Sequence, residues 1–398
     1  MMKRRQFIAA AGAAPLAAQG RKKIAALSST YHVRSHSDNF ITRVLEGYWI
    51  HERYHEPPFD VASLWMDQIH PCDIGRRLAR AYRVRQAKSI DEALTLGTGK
   101  LAVDGVVLVC EHGEYPHNVR NQQLYPRYEF FEQVVQVFRR SGRVCPVFVD
   151  KHLSYEWRKA KQMYDWSREL HFPLMAGSSV PVTFRRPEYD PPLGIELESA
   201  LSVGGGWVAD GGIFHILDTL QAFVERRRGG ETGVKAVQLF KGPAVWQAAT
   251  QGRWDRRLLD AALHRAERVG PGRPEDSSQA VLGLVEYRDG FTGALLALGD
   301  MVSEYLAAVK PKRGPAEATL CYLPSENSNN FSMLVHGIRQ MIETGKPAVP
   351  PERTLLVSGT LAALMESGFQ GGKRIETPEL KVAYRAPARS WFAAGVGS

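Results

Sequence analysis

The chain has 398 residues, enough for two domains with substantial cores, and an ordinary globular make-up of 44% hydrophobic and 23% charged residues. Its formal charge is +9; Lys3, Arg4 and Arg5 lie in the first twenty residues, which hold no acids, and without these three the balance is +6. The other basic pairs and triples, such as Arg139-Arg140 and Arg226-Arg227-Arg228, are scattered, and no basic, aromatic-interleaved motif accompanies them, which argues against nucleic acid as a partner.

Residues 1–20 carry Arg4-Arg5, then Phe7-Ile8, then a short alanine-rich stretch. The stretch is too short and too weakly apolar to span a bilayer, so no membrane anchor is expected. The order of arginine pair, apolar run and small-residue end resembles a twin-arginine export signal, which predicts a periplasmic or extracellular protein. Cys72, Cys110, Cys145 and Cys321 form no CxxC pair; Cys110 and Cys145 adjoin apolar runs and read as buried free thiols.

From residue 21 to about 180, short β-branched runs alternate with helical periodicity. Strands are expected at Ile24–Leu27, Val61–Met66, Val103–Cys110, Val144–Val149 and Leu174–Ala176. Helices are expected at Phe40–His51, Asp73–Tyr82, Arg127–Arg140 and Tyr155–Leu170. This alternation predicts an α/β domain with a Rossmann-like, doubly wound parallel sheet. A proline-rich connection, "SVPVTFRRPEYDPPLG", opens the remainder, residues 181–398. A helix at Gly211–Arg228 follows, then a strand-rich region with a hairpin turning at Asp289-Gly290, and two late helices, Phe331–Thr344 and Arg353–Gly368. That pattern predicts an α+β domain with an open, mostly antiparallel sheet.

Ligands of open α/β sheets bind outside the carboxyl ends of the strands. Four stretches fall there. The turn after the first strand reads Ser28, Ser29, Thr30, Tyr31, His32, Val33, Arg34, with no glycine before Gly47. Asp67, ending the second strand, stands where an acid accepts ribose hydroxyls in nucleotide-binding units. Glu111 and His112 follow the central strand, and Asp150, Lys151 and His152 the next. A lysine beside an acid there suits a proton donor or oxyanion stabiliser. In the second domain, Asp210 is a good helix N-cap, and His215 and Asp218, three apart on one face, suit general acid–base work or a surface pair. His36, Glu111, His112, Asp150 and His152 offer an alternative metal-ligating set, without a motif such as HExxH to accompany it.

Several segments resemble the Gfo/Idh/MocA family, named for glucose–fructose oxidoreductase and inositol dehydrogenase. "SGRVCPVFVDKHLSYEW" is similar to the family's Glu-Lys-Pro segment, "GGGWVADGGIFHILDTL" to its Asp…His…Asp helix, "PEDSSQAVLGLVEYRDGFTGAL" to its sheet hairpin, and "TGKPAVPPERTLLVSGTLAALMESGFQGGKRIETPEL" to its terminal helices. The resemblance implies an oxidoreductase passing a hydride between NAD or NADP and a sugar, polyol or related carbohydrate. Lys151 then matches the family's catalytic lysine and His215 its acid–base histidine, with Asp210 and Asp218 beside it. Ser28, Ser29 and Thr30 would replace the phosphate-loop glycines, and Asp67, Glu111 and His112 would complete the cofactor site. The exposed face of the second sheet would serve a homo-oligomer. The chain departs from the family in three places: the glycine fingerprint is absent, Asp150-Lys151-His152 replaces Glu-Lys-Pro, and Asp210 stands five residues before His215 where four is usual. A non-redox sugar-processing or sugar-binding protein that has lost NAD, with or without a metal, is the alternative expectation.

Overall fold

The computed structural model describes residues 21–205, 210–324 and 328–394. The export signal expected over residues 1–20 lies outside the described residues. Among the described residues no helix is long and apolar enough to cross a membrane.

The first domain runs β1 (Lys23–Ser28), a π-helical turn Asp38–Thr42, α1 (Arg43–Glu46), β2 (Tyr48–Ile50), β3 (Arg53–His55), β4 (Asp60–Met66), α2 (Gly75–Ala81), β5 (Arg85–Gln86), α3 (Ile90–Thr95), β6 (Gly105–Val109), α4 (Arg127–Ser141), β7 (Val147–Asp150), α5 (Trp157–Glu169) and β8 (Leu174–Gly177). Six of these strands form one parallel sheet in the order β5-β4-β1-β6-β7-β8. The chain winds outward from β1 and then crosses back to β6, so the switch point lies between β1 and β6.

β6 is apolar throughout because both its faces are covered. Val106 and Leu108 pack with Phe131, Val134 and Val135 of α4. Val107 and Val109 pack with Phe40, Ile41 and Ile338. Ile338 belongs to α9 (Asn330–Thr344), which returns from the second half of the chain to this sheet. It is needed there because the helical segment after β1 is short. The expected helix Phe40–His51 stops at Glu46: Gly47 takes φ +84, and the chain folds into the β2–β3 hairpin.

The second domain holds β9 (Phe184–Arg186), β10 (Leu197–Gly204), α6 (Asp210–Val224), β11 (Val234–Lys241), α7 (Pro243–Thr250), α8 (Arg256–Leu263), β12 (Ala280–Tyr287), β13 (Thr292–Leu298), β14 (Tyr305–Pro311) and β15 (Glu317–Tyr322). After α9 come α10 (Pro351–Phe369) and β16 (Ile375–Glu376). Its eight strands run β16-β11-β12-β13-β10-β14-β15-β9, all antiparallel neighbours except β10 and β13. The β12–β13 hairpin turns at Asp289-Gly290, with Gly290 at φ +87. The segment read as a proline-rich connection contains the edge strand β9.

One face of this sheet packs Val281, Val285, Leu295 and Val309 against α6 and α10. The opposite face, expected to be exposed for oligomer formation, is covered. Leu201, Leu282, Leu296 and Leu306 pack under Val245 and Ala248 of α7, Trp254, and Leu258 and Leu259 of α8. All four cysteines are free; Cys110 and Cys145 are buried as expected, Cys321 is buried too, and Cys72 is exposed.

Candidate active site at the carboxyl edge of the first sheet

The chain leaves β7 through Asp150 and enters Lys151 with φ +65, a left-handed conformation that side chains rarely adopt. His112 after β6 (φ +68) and Arg34 after β1 (φ +63) share it. Three non-glycine residues in this region on one edge, at about 1–3 kcal/mol each, mark a place where side-chain position outweighs backbone ease.

Lys151 is 6% exposed, and its ammonium donates to Glu111 Oε1 at 2.7 Å. The other carboxylate oxygen of Glu111 accepts from Arg127 at 2.6 Å, and Arg127 is fully buried. A second guanidinium nitrogen of Arg127 lies 3.3 Å from His152 Nε2. Burial alone would push the Glu111 carboxyl up; Lys151 and Arg127 outweigh it and hold the group well below the usual carboxylate range. Glu111 is therefore an anion that ties two cations together. Burial, and next to it Arg127, keeps His152 neutral, and burial with His36 nearby lowers His112 to about 4.

Helix α6 brings the second domain onto this group. A Cβ built at Gly211 would stand 3.6 Å from the Lys151 ammonium and 3.9 Å from Glu111 Oε1, which places the first turn of the helix directly over this group. Asp210 accepts from the Gly211 N–H at 2.9 Å, and burial raises its carboxyl. α6 is regularly α-helical from Asp210 onward, so no π-bulge restores the four-residue spacing, and Asp210 sits in the first turn.

His215 and Asp218 do not pair with each other as the spacing suggested. Both turn to the residue after β8: His215 Nδ1 lies 2.5 Å from Ser178 Oγ, and Asp218 Oδ2 accepts from the Ser178 N–H at 2.9 Å. Burial first, then Lys151 and His36, holds His215 well below its ordinary 6.5, so it is neutral at pH 7. Burial pushes Asp218 up to about 6, and its Oδ1 has no hydrogen-bond partner among the described residues.

The β1 end of the edge differs. Ser28, Ser29 and Thr30 are buried. Ser28 Oγ donates to Thr30 O at 3.0 Å and meets Ser37 Oγ at 2.5 Å; Ser29 Oγ donates to Glu111 O at 2.8 Å. Tyr31 is fully buried, and Gly75 of α2 makes room for its ring, which a Cβ there would approach to 2.8 Å. Asp67 accepts from the Tyr115 hydroxyl at 2.7 Å. The Gln68 amide donates to Glu114 O at 3.1 Å and accepts from the Glu114 N–H at 2.9 Å.

His36 Nδ1 lies 2.6 Å from Asp150 Oδ2, and its ring is 5.3 Å from that of His112. The alternative metal set, His36, Glu111, His112, Asp150 and His152, does not converge: among the described residues no three His, Cys, Asp or Glu side chains are placed to share an ion. The partners of Glu111 and Asp150 explain this, because both acids already hold neighbouring side chains.

Sequence reasoning missed Arg127, Ser178 and Tyr115. Arg127 carried a signal, since it stands on the apolar stripe of α4 with Phe131, Val134 and Phe138, where a charge needs a buried partner.

No family model and no curated protein matches the sequence. Solved structures do share the fold. GenD2 from gentamicin A biosynthesis, in complex with NAD, is 15% identical with a TM-score of 0.56 over 92% of this chain and 99% of that one. A myo-inositol dehydrogenase from Corynebacterium glutamicum is 12% identical, with a TM-score of 0.52 over 89% and 98%. A Gfo/Idh/MocA family oxidoreductase from Vibrio cholerae is 14% identical, with a TM-score of 0.51 over 88% and 97%.

Proposed function

The chain has the two-domain fold of Gfo/Idh/MocA oxidoreductases, and from it we propose an enzyme that transfers protons on a sugar, polyol or related carbohydrate at the cleft between β7 and α6. The observation that carries this reading is the convergence of a buried lysine held by two charged neighbours with a neutral histidine from the other domain. His215 takes or gives the proton of a substrate hydroxyl, with Ser178 holding its ring through Nδ1. The Lys151 ammonium, fixed by Glu111, stabilises the oxygen on which negative charge develops. Asp210 and Asp218, both raised by burial, border the cleft from α6 and act on hydroxyl groups of the substrate.

In the oxidoreductase form of this chemistry, NAD or NADP accepts or supplies a hydride at the same carbon. The residues here fit only part of that cofactor. Glu111 and Lys151 suit the reacting end. The residues around β1 and β4 do not suit its pyrophosphate and ribose, because Ser28 and Ser29 spend their hydroxyls on neighbours and Tyr115 holds Asp67. That misfit favours the second reading, a non-redox reaction on the same carbohydrate, in which proton transfer at or beside a carbonyl-bearing carbon is the whole chemistry. Export through residues 1–20 belongs to the proposal and rests on Arg4-Arg5 and the apolar stretch after them.

A panel of neutral sugars, polyols and keto sugars, incubated with the purified protein and followed by NMR with and without NAD or NADP, tests the reading. Conversion abolished in both Lys151→Ala and His215→Asn is the expected outcome. Full turnover in either variant removes that residue from the chemistry.

A further inference from the structure

We infer that this chain has closed the dinucleotide groove of its first domain with its own residues, so that its reaction does not draw on a nicotinamide dinucleotide that binds and leaves. The proposal stands on three separate contacts along the path such a cofactor would take.

The first is at the turn after β1, where a pyrophosphate needs free backbone N–H groups and a close backbone approach. Here Ser35 Oγ accepts from the N–H groups of His32 and Asp38, both at 3.2 Å, and the Asp38 carboxylate accepts from the Arg34 N–H at 2.9 Å. These three donors are used, and Asp38 places a negative charge at the start of the helical segment, where a phosphate would otherwise be favoured.

The second is the crevice between β1 and β4. Beyond the strand ends, the N–H groups of Asp67, Gln68 and Ile74 donate to the carbonyls of Ser28, Ser29 and Tyr31 at 2.9–3.0 Å. The His32 and His70 rings lie over the same place, tilted at 32° with centroids 4.2 Å apart.

The third contact is a clasp. The loop after β6 reaches past β1, and Gln68 and Glu114 exchange two hydrogen bonds, while the Tyr115 hydroxyl sits on Asp67 as a ribose hydroxyl would. Tyr115 thus stands in for the nucleotide at the acid that the sequence pointed to for holding it. The Lys151 group lies beyond these contacts, held by Glu111 and Arg127.

The inference uses the functional reading only in taking Lys151 as the reacting end, and the two can fail separately. The test is hydrogen–deuterium exchange together with native mass spectrometry on the purified full chain, with NAD, NADH, NADP and NADPH added singly up to about 1 mM, the top of the usual KM range. The amides of Gln68 and Glu114 should exchange slowly in the protein alone. No nucleotide adduct should form, and exchange over 28–38 and 67–74 should not change. A dinucleotide that co-purifies, or that binds and protects 28–38, overturns the inference; so does fast exchange at Gln68 and Glu114, which would mean the clasp is not formed. A sugar that slows exchange at Lys151 and α6 supports the site assignment, and one that protects only a remote segment breaks that assignment while leaving the groove result to stand by itself.

Discussion

At the β1–β4 end of the carboxyl edge, polar side chains bond one another: serine to serine, tyrosine to aspartate, glutamine to backbone. At the β6–β7 end, polar side chains are held by neighbours yet keep unspent capacity, as in Asp218 Oδ1, His112 Nε2 and His152 Nδ1, which are buried without hydrogen-bond partners among the described residues. Saturated polar groups build a wall; a buried polar group with an open lone pair costs free energy and calls for a partner such as a water, an ion or a ligand. On the function proposed above, the same edge of one sheet holds a sealed half and a reactive half.

Breaking the reactive half should have the largest effect. Lys151→Ala and His215→Asn should each lower turnover by roughly 10²–10⁴-fold, the usual range for a positioned acid–base group, while circular dichroism stays unchanged. Because His215 is already neutral at pH 7, its protonation should not lower activity through the ordinary imidazole range, and a pH–rate profile of Asp218→Asn, which removes the carboxyl that titrates near 6, should be flat there. The support beneath is next. Arg127→Leu leaves Glu111 buried with one cation instead of two, and should cost about 3–5 kcal/mol in urea unfolding. Arg139→Ala, at an exposed pair with Glu169, should cost under about 1 kcal/mol.

Asp218 gives a pH signature. Its carboxyl is raised from the ordinary 3.8 to about 6, chiefly by burial, so the folded state prefers the protonated form. Its contribution to stability is complete below about pH 4 and is lost as pH rises through 6. Unfolding free energies of wild type and Asp218→Asn should therefore diverge between those values, and parallel curves would contradict the burial. The smallest effect belongs to the sealed half: Tyr115→Phe removes one partly exposed bond to Asp67 and should cost about 0.5–1.5 kcal/mol in the same unfolding assay.

Much of this was legible in the sequence. "VDGVVLVC" announced a strand covered on both faces, and the carboxyl-edge rule placed Glu111 and Lys151 together before any distance was known. The spacing of His215 and Asp218 gave the right face but the wrong partner, because the residue they share, Ser178, follows β8 in the other domain. Periodicity also carried the first helix past Gly47, where a positive φ ends it. The covering of the second sheet was readable but unread: "AVLGLVEY" and "TGALLAL" are apolar at successive positions, as strands buried on both faces must be, and α7 and α8 supply the second cover. The clasp was not legible, since Gln68 and Glu114 are ordinary polar loop residues whose meeting depends on a fold-wide juxtaposition of two loops.

The contrast between the two halves is tested most directly by following a converted sugar or keto sugar by NMR in D₂O, with protein freed of nucleotide. The account predicts conversion without NAD or NADP, at a rate that added nucleotide does not change, and its loss in His215→Asn. Conversion that begins only when NAD or NADP is supplied, with reduced nucleotide formed or consumed in equal amount, would contradict it.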